Sequence, residues 1–192
     1  LQKDTAAVVE ANGGKVLGSV NVPLNTADFS SFLLQAQASK AKVIGLANAG
    51  GDTINSIKQA AEFGIVKGGQ KLAGLLVFAS DVHSLGLQTA QGLQLTEGFY
   101  WDFDDQTRAW SKKFFARMNK EPTMAQAGVY SAVMNYLNAV KAVNTLDGPT
   151  VVKQLKSKPI NDFAIRNGHI RDDGSLAHDM YLFEVKKPSE SK

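Results

Sequence analysis

The chain contains no cysteine. That excludes disulfides, thiolate nucleophiles and cysteine-ligated zinc, and suits a reducing or an oxidising compartment equally. Proline is scarce, at five residues, and the 17 glycines follow no fixed period, so collagen-like and linker compositions are excluded. Long apolar runs are missing as well. The longest, such as Leu72 to Ala79, fall far short of the ~20 residues a membrane helix needs. No cationic stretch followed by an apolar one opens the chain, so no secretory signal is expected within it; a mature or partial chain lacks one too. Strong charge of one sign is also absent. Twenty-one basic residues face 18 acidic ones, a formal net charge of +3. The lysines are dispersed, and the densest patches, Lys112-Lys113 and Lys186-Lys187, are only pairs. A nucleic-acid binder needs a stripe of positive charge, so no nucleic-acid partner is expected. What is present is ordinary for a folded chain: 44% hydrophobic and 20% charged residues. A length of 192 residues suits one large domain or two small ones.

The first two thirds alternate helical and strand-like periods. Gln2 to Asn12 reads as a helix closed by Gly13-Gly14. Lys15 to Val22, rich in Val and ended by Pro23, reads as a strand. Asp28 is placed to cap a helix to about Ser39, with Phe29, Phe32, Leu33 and Ala36 inward. Lys42 to Ala47 reads as a strand buried on both faces. Gly50-Gly51-Asp52 opens a helix that Gly64 closes, and Leu72 to Phe78 reads as a third strand. Residues 80–95 read as loop with short helical pieces, and Gly98 to Phe103 as a fourth, aromatic strand. Such alternation predicts an α/β fold: a parallel sheet with helices on both faces. Beyond Asp104 the pattern turns helical, over 105–119, 124–144 and 149–158. The last of these starts at Pro149, a suitable first helical residue. A closing hairpin is predicted around Arg171-Asp172-Asp173-Gly174, with arms 163–170 and 180–185.

Open parallel sheets bind ligands beyond the carboxyl ends of their strands. Two such ends carry chemistry. In Ala47-Asn48-Ala49-Gly50-Gly51-Asp52-Thr53, glycines permit close backbone approach and a helix start offers N–H groups to an anion. The plainer reading is a tight turn with Asp52 as a cap. In Phe78-Ala79-Ser80-Asp81-Val82-His83, an aromatic wall, a hydroxyl, a carboxylate and an imidazole lie within six residues. There the plainer reading has Asp81 capping the next turn and His83 exposed.

Catalytic templates find little support. There is no G-x-S-x-G elbow, and Gly45 to Gly51 lacks the Lys-Ser/Thr of a phosphate loop. His83, His169 and His178 form no i, i+4 pair, so no metal site is expected. Asp102, Asp104 and Asp105 resemble an acidic pair, but their place before a helix favours capping. Trp101, Trp110, Phe114 and Phe115 read as packing residues. No enzyme and no cofactor are expected.

Ala27-Asp28-Phe29-Ser30, Lys42-Val43-Ile44-Gly45 and Ile57-Lys58-Gln59-Ala60-Ala61-Glu62-Phe63-Gly64-Ile65, followed by Tyr130-Ser131-Ala132-Val133 and the Asp173-Gly174 turn, resemble the periplasmic solute-binding proteins of branched-chain amino-acid ABC transporters. The wording of the two strand-end loops is similar to a branch that takes aromatic or other non-standard carboxylates. The resemblance covers nearly the whole chain, as the second half of a protein with two α/β lobes and a cleft between them. It implies that residues 1–103 and 160–192 form the second lobe and that 104–159 belong to the first. It implies a periplasmic location, no enzymatic activity, a small carboxylated solute (an amino acid or aromatic acid) and a membrane permease as partner. By the same analogy Asn48, Ala49, Gly50 and Asp52 hold one end of the ligand and Ser80 and Asp81 another polar group. Phe78 and Tyr100 form apolar walls, and Met124 and Gln126 face the cleft from the first lobe. Where amino-acid binders often carry an aromatic residue, this chain has Ala49 and Gly50, which makes room for a bulkier ligand. A ligand-sensing domain of a receptor or regulator shares the fold and is the alternative. The helical stripes of 104–159 predict a homodimer or an exchanged oligomer for the chain alone.

Overall fold

The computed structural model describes residues 1–191. The chain divides into two compact units, residues 1–96 with 182–191, and Glu97–Tyr181. The helical segment expected at 104–159 lies within the second unit. That unit also takes in 97–103 and 160–181, because Phe99, Ile160, Ala164 and Ile165 share a core with Ala127.

The first unit is a four-stranded sheet with helices. The strands are β1 (Val43–Leu46), β2 (Lys71–Gly74), β3 (Leu93–Glu97) and, from the chain's end, β6 (Tyr181–Glu184), in spatial order β1-β2-β3-β6. β1, β2 and β3 run parallel, with Leu46 opposite Gly74 and Leu72 opposite Leu93. The helices are α1 (Gln2–Ala11), α2 (Ser30–Ala38), α3 (Gly50–Glu62), α4 (Ala79–Leu85) and α5 (Leu87–Ala90). Phe29 and Leu33 from the start of α2, Ile57 and Ala60 of α3, Leu85 and Ala90 of the short helices, and Leu72 and Leu93 of the sheet form one core. Gly64, at φ +65, closes α3 in the left-handed conformation that glycine adopts without strain.

Four sequence expectations are corrected. Lys15 to Val22 forms no strand: it is in neither of the sheets among the described residues. β1 is not buried on both faces: Ile44 and Leu46 are buried while Val43 and Gly45 are exposed. The strand after β2 is Leu93–Glu97, not 98–103. Gly86 and Gly92, both at positive φ, are the turns that set this strand apart. The closing hairpin is short, β4 (His169–Ile170) against β5 (Leu176–Ala177), and Tyr181–Glu184 joins the main sheet instead.

The second unit is built on α6 (Asp105–Met118), α7 (Met124–Val143) and α8 (Gly148–Lys156). Trp110 stacks on Phe163 at 4.5 Å and meets Phe99 edge-on at 5.8 Å, so these aromatics form the core. Asp162 ties the loop after α8 to α7. Its Oδ2 accepts from Ser131 Oγ at 2.5 Å and Asn135 Nδ2 at 3.2 Å, and its Oδ1 accepts from the amides of Ala164 and Ile165 at 2.8 Å each.

Asp104 caps α6. Its Oδ1 accepts from Thr107 N at 2.9 Å, and its Oδ2 pairs with Arg166 at 2.6 Å. The Thr107 amide, against the opposing effect of burial and with the help of the Arg166 guanidinium, holds this carboxyl below the usual aspartate range. A depressed folded-state pKa gives stability that is complete above the unfolded value and is lost as pH falls through the folded one. Urea stability of the second unit should therefore be flat from neutral pH to about pH 5 and fall below about pH 4. Asp104→Asn should shrink that acid loss, at a cost near neutrality of about 1 kcal/mol or less for the partly exposed pair. Urea titrations across this range check it, and an unchanged acid limb in the variant would count against the assignment.

Candidate functional site

Two loops leave the carboxyl edge of the sheet side by side. β1 and β2 are parallel neighbours that end together at Leu46 and Gly74, so residues 47–51 and 75–81 start next to each other. This brings the two predicted loops together within the first unit.

The first loop passes through extended Ala49 into α3, and no side chain caps that helix. Its first-turn amides, at Gly50, Gly51 and Asp52, lack intrahelical acceptors, as in any helix start. Gly50 has φ +58, which favours glycine, and a Cβ at Gly50 or Gly51 meets nothing within 4 Å. The amides are thus approachable by an anion. Asn48 is turned along the flank of α3: its Oδ1 accepts from Thr53 Oγ1 at 2.9 Å and its Nδ2 donates to Ser56 Oγ at 3.3 Å. Asp52 Oδ2 accepts from the Asn25 amide at 3.0 Å. Both side chains brace the loop.

The second loop turns sharply. A Cβ on Gly74 would lie 2.3 Å from Val77 Cγ2, and Val77 is buried. This close approach lets the chain bend straight from β2 toward α4. Phe78 is half-buried and immediately precedes α4, and its amide donates to Asp81 Oδ2 at 2.9 Å. Asp81 is therefore the capping carboxylate of the plainer reading. Ser80 is exposed on the first turn.

The remaining candidates belong to the second unit. Tyr100 is half-buried, and burial, with the carboxylates of Asp102, Glu97 and Glu121, pushes its phenol above the usual tyrosine range. Gln126 caps α7: its Oε1 accepts from the amide and hydroxyl of Thr123 at 2.9 and 2.7 Å. Met124 lines an apolar cavity of about 420 Å³ within this unit, with Leu155, Ile160, Ile165 and Met180. The buried carboxylate of Glu97 was not anticipated. The alternation Leu93-Gln94-Leu95-Thr96-Glu97 would have placed it inward. Among the described residues no group of histidine and acidic side chains is arranged to hold a metal. Among the described residues no helix is long and apolar enough to cross a membrane.

A family model described as periplasmic binding protein matches residues 1–191. No curated protein matches the chain. Among solved structures, a periplasmic binding protein from Burkholderia mallei is 59% identical. It superposes with a TM-score of 0.91 over 100% of this chain and 51% of its own. A branched chain amino acid ABC transporter periplasmic ligand-binding protein from Burkholderia xenovorans LB400 is 43% identical, with the same TM-score and coverage. A solute-binding protein of an ABC transporter from R. palustris, in complex with 4-hydroxybenzoate, is 22% identical. Its TM-score is 0.84 over 97% of this chain and 52% of its own, and at that identity it shares the fold alone. The chain thus spans about half the length of these relatives.

Proposed function

We propose, from the premise that this chain belongs to the periplasmic binding protein family, that it is part of the solute-capturing component of an ABC importer. The solute is a small carboxylated molecule taken up in the periplasm and delivered to a membrane permease. The observation that carries this reading is the pairing, at one sheet edge, of the uncapped start of α3 with the Phe78–Asp81 loop. In this reading the Gly50 and Gly51 amides take the carboxylate, Asn48 and Asp52 hold that loop in place, and Ser80 and Asp81 address a second polar group. Phe78 forms an apolar wall beside these loops. Residues 104–159 are assigned to the first lobe of the longer protein.

Small residues at 49–51 leave volume at the α3 start, which favours a ligand larger than leucine. In the longer two-lobed protein, a thermal-shift panel of leucine, valine, phenylalanine, benzoate and 4-hydroxybenzoate tests this. Stabilisation by an aromatic acid is expected, since ligands that bind only the folded state raise its apparent stability. A shift with leucine or valine and none with aromatic acids would overturn the size argument.

The chain on its own has a further expected property. Val129, Val133 and Leu137 form a stripe on α7, and each is at least half exposed. Such a patch favours association, so the 192-residue chain is expected to form a dimer through α6–α8. Light scattering at micromolar concentration decides it, and a well-behaved monomer would count against association through α7.

A further inference from the structure

We propose that Asn12 is a site of spontaneous deamidation in the folded protein, and that Asn167, in the same Asn-Gly sequence, is shielded from it. The reaction is intramolecular and needs only water. The Gly13 amide nitrogen attacks the side-chain Cγ of Asn12. A C–N bond forms, the Cγ–Nδ2 bond breaks, and ammonia leaves with the proton of the Gly13 N–H. Water then opens the cyclic imide at either carbonyl, giving aspartate or its β-linked isomer. The inference does not rest on the ligand reading.

A glycine after the reacting residue leaves the attack unobstructed, because it has no Cβ. Glycine follows an asparagine or aspartate at Asn12-Gly13, Asp147-Gly148, Asn167-Gly168 and Asp173-Gly174, and the structure sets these places apart. Asn12 is the C-cap of α1, at φ −97 and ψ 17, and is exposed together with Gly13 and Gly14. The bonds that hold it run to the last turn of its own helix. Asn12 Nδ2 donates to Val8 O at 2.8 Å, the Gly13 amide to Glu10 O at 3.0 Å and the Gly14 amide to Val9 O at 2.9 Å. A Cβ on Gly13 meets nothing within 4 Å, so the turn has open space in which to rotate. Attack requires rotation about the Asn12 Cα–C bond and release of two water-exposed donors, and helix ends open at little cost.

Asn167 is held at both reacting groups by partners outside its own turn. Its Nδ2 donates to Asp179 Oδ2 at 2.7 Å, and its amide to Asn161 Oδ1 at 2.9 Å. The nucleophile, Gly168 N, donates to Ile160 O at 2.9 Å, and Ile160 N returns the bond to Gly168 O at 2.8 Å. A Cβ on Gly168 would lie 2.5 Å from Ile165 Cγ2. Rotation at Asn167 must therefore break the reciprocal pair and displace Ile160 and Ile165 from their core. The two aspartates are tied as well. Asp147 Oδ2 accepts from Thr150 N at 3.1 Å and Oγ1 at 2.6 Å, and Asp173 Oδ1 accepts from Ser175 N at 2.9 Å and Oγ at 2.7 Å. These bonds favour the ionised carboxylate, which resists attack by an amide. Reaction at Asn12 has a consequence for α1. A carboxylate there cannot donate to Val8 O, and it adds negative charge where the helix already ends in partly negative carbonyls. The last turn of α1 should loosen once Asn12 has reacted.

The test holds the folded 192-residue chain at mildly alkaline pH beside the same chain unfolded in urea, and follows both sites by peptide mass spectrometry. Trypsin frees residues 4–15 and 167–171, each with a single asparagine, so the conversion of each site is read separately. Unfolded, the two sites should react at comparable rates. Folded, Asn12 should keep most of its unfolded rate, whereas Asn167 should be at least about tenfold slower than in urea, since several hydrogen bonds must open first. Equal rates at the two sites in the folded chain, or Asn12 slowed as much as Asn167, would overturn the proposal. Asn12→Asp carries the charge of the product. Its amides at Gly13 and Gly14 should exchange faster than in the wild type, and unchanged exchange there would overturn the predicted loosening of α1. If circular dichroism shows the chain alone unfolded, the longer two-lobed protein is measured in the same way and the same outcomes decide.

Discussion

Replacing Gly168 by alanine is expected to destabilise the second unit by about 3 kcal/mol. A Cβ at this residue would stand 2.5 Å from Ile165 Cγ2 and 2.7 Å from the carbonyl oxygen of Ile160. That carbonyl has little freedom to retreat. It accepts from the Gly168 amide at 2.9 Å, while the Ile160 amide donates to Gly168 O at 2.8 Å. Relief of the overlap must therefore stretch a reciprocal backbone pair or displace Ile160 and Ile165, which belong to the core with Phe99 and Ala127. Overpacking a fixed site costs about 1–3 kcal/mol, and weakening a buried hydrogen-bonded pair adds about 1 more. The readout is simple, because both tryptophans, Trp101 and Trp110, lie in the second unit. Urea unfolding followed by their fluorescence should show a much lower midpoint. Gly128→Ala is the control: a Cβ there meets nothing within 4 Å, and alanine in a helix is favoured over glycine by about 1 kcal/mol. If Gly168→Ala, like the Gly128→Ala control, were no less stable than the wild type, the described turn would be wrong.

The same local logic explains which elements were legible in the sequence. α3, α6 and α7 carry their own punctuation: Gly64 after α3, Asp104 before α6, and Pro122 with Asn144 around α7. Capping is a property of a few adjacent residues, so pattern alone locates it. Lys15 to Val22 carries a strand's composition, but a strand exists only when a neighbour accepts its hydrogen bonds. Residues 98–103 misled for the opposite reason. Their aromatic content resembles a strand, whereas Phe99 is used to meet Trp110 and Phe163 in a second core. At the candidate site, the glycines and strand-to-helix switches marked two loops that leave neighbouring strands at one sheet edge. The commitments of individual side chains were less visible. Thr123 and Gln126 stand at capping-box spacing, a local signal that explains Gln126 without any ligand. The bonds from Asn48 to Thr53 and Ser56 depend on how the loop enters α3, which composition does not encode.

Asp81 offers the sharpest separation of ligand classes, because its structural and binding roles respond differently to one substitution. Asp81→Asn keeps an oxygen able to accept from the Phe78 amide, now bonded to Asp81 Oδ2 at 2.9 Å, so the start of α4 should survive. What it removes is the negative charge. If Asp81 faces the ammonium of an amino acid, loss of a charge-assisted bond costs about 1.5–3 kcal/mol, a roughly 10- to 150-fold weaker affinity. If the ligand presents a phenolic hydroxyl instead, an amide oxygen still accepts from it, and the loss should stay at the low end, about tenfold. A simple aromatic carboxylate offers no donor and would be repelled by Asp81, so its affinity should be unchanged or improved in the variant. Calorimetry on the longer protein with phenylalanine, 4-hydroxybenzoate and benzoate, wild type against Asp81→Asn, reads these cases directly. Affinities within a factor of two for every acid that binds would leave Asp81 as the capping residue of α4 alone. The polar selectivity of this sheet edge would then have to come from Ser80 and the α3 amides, which carry no formal negative charge to favour a cationic group.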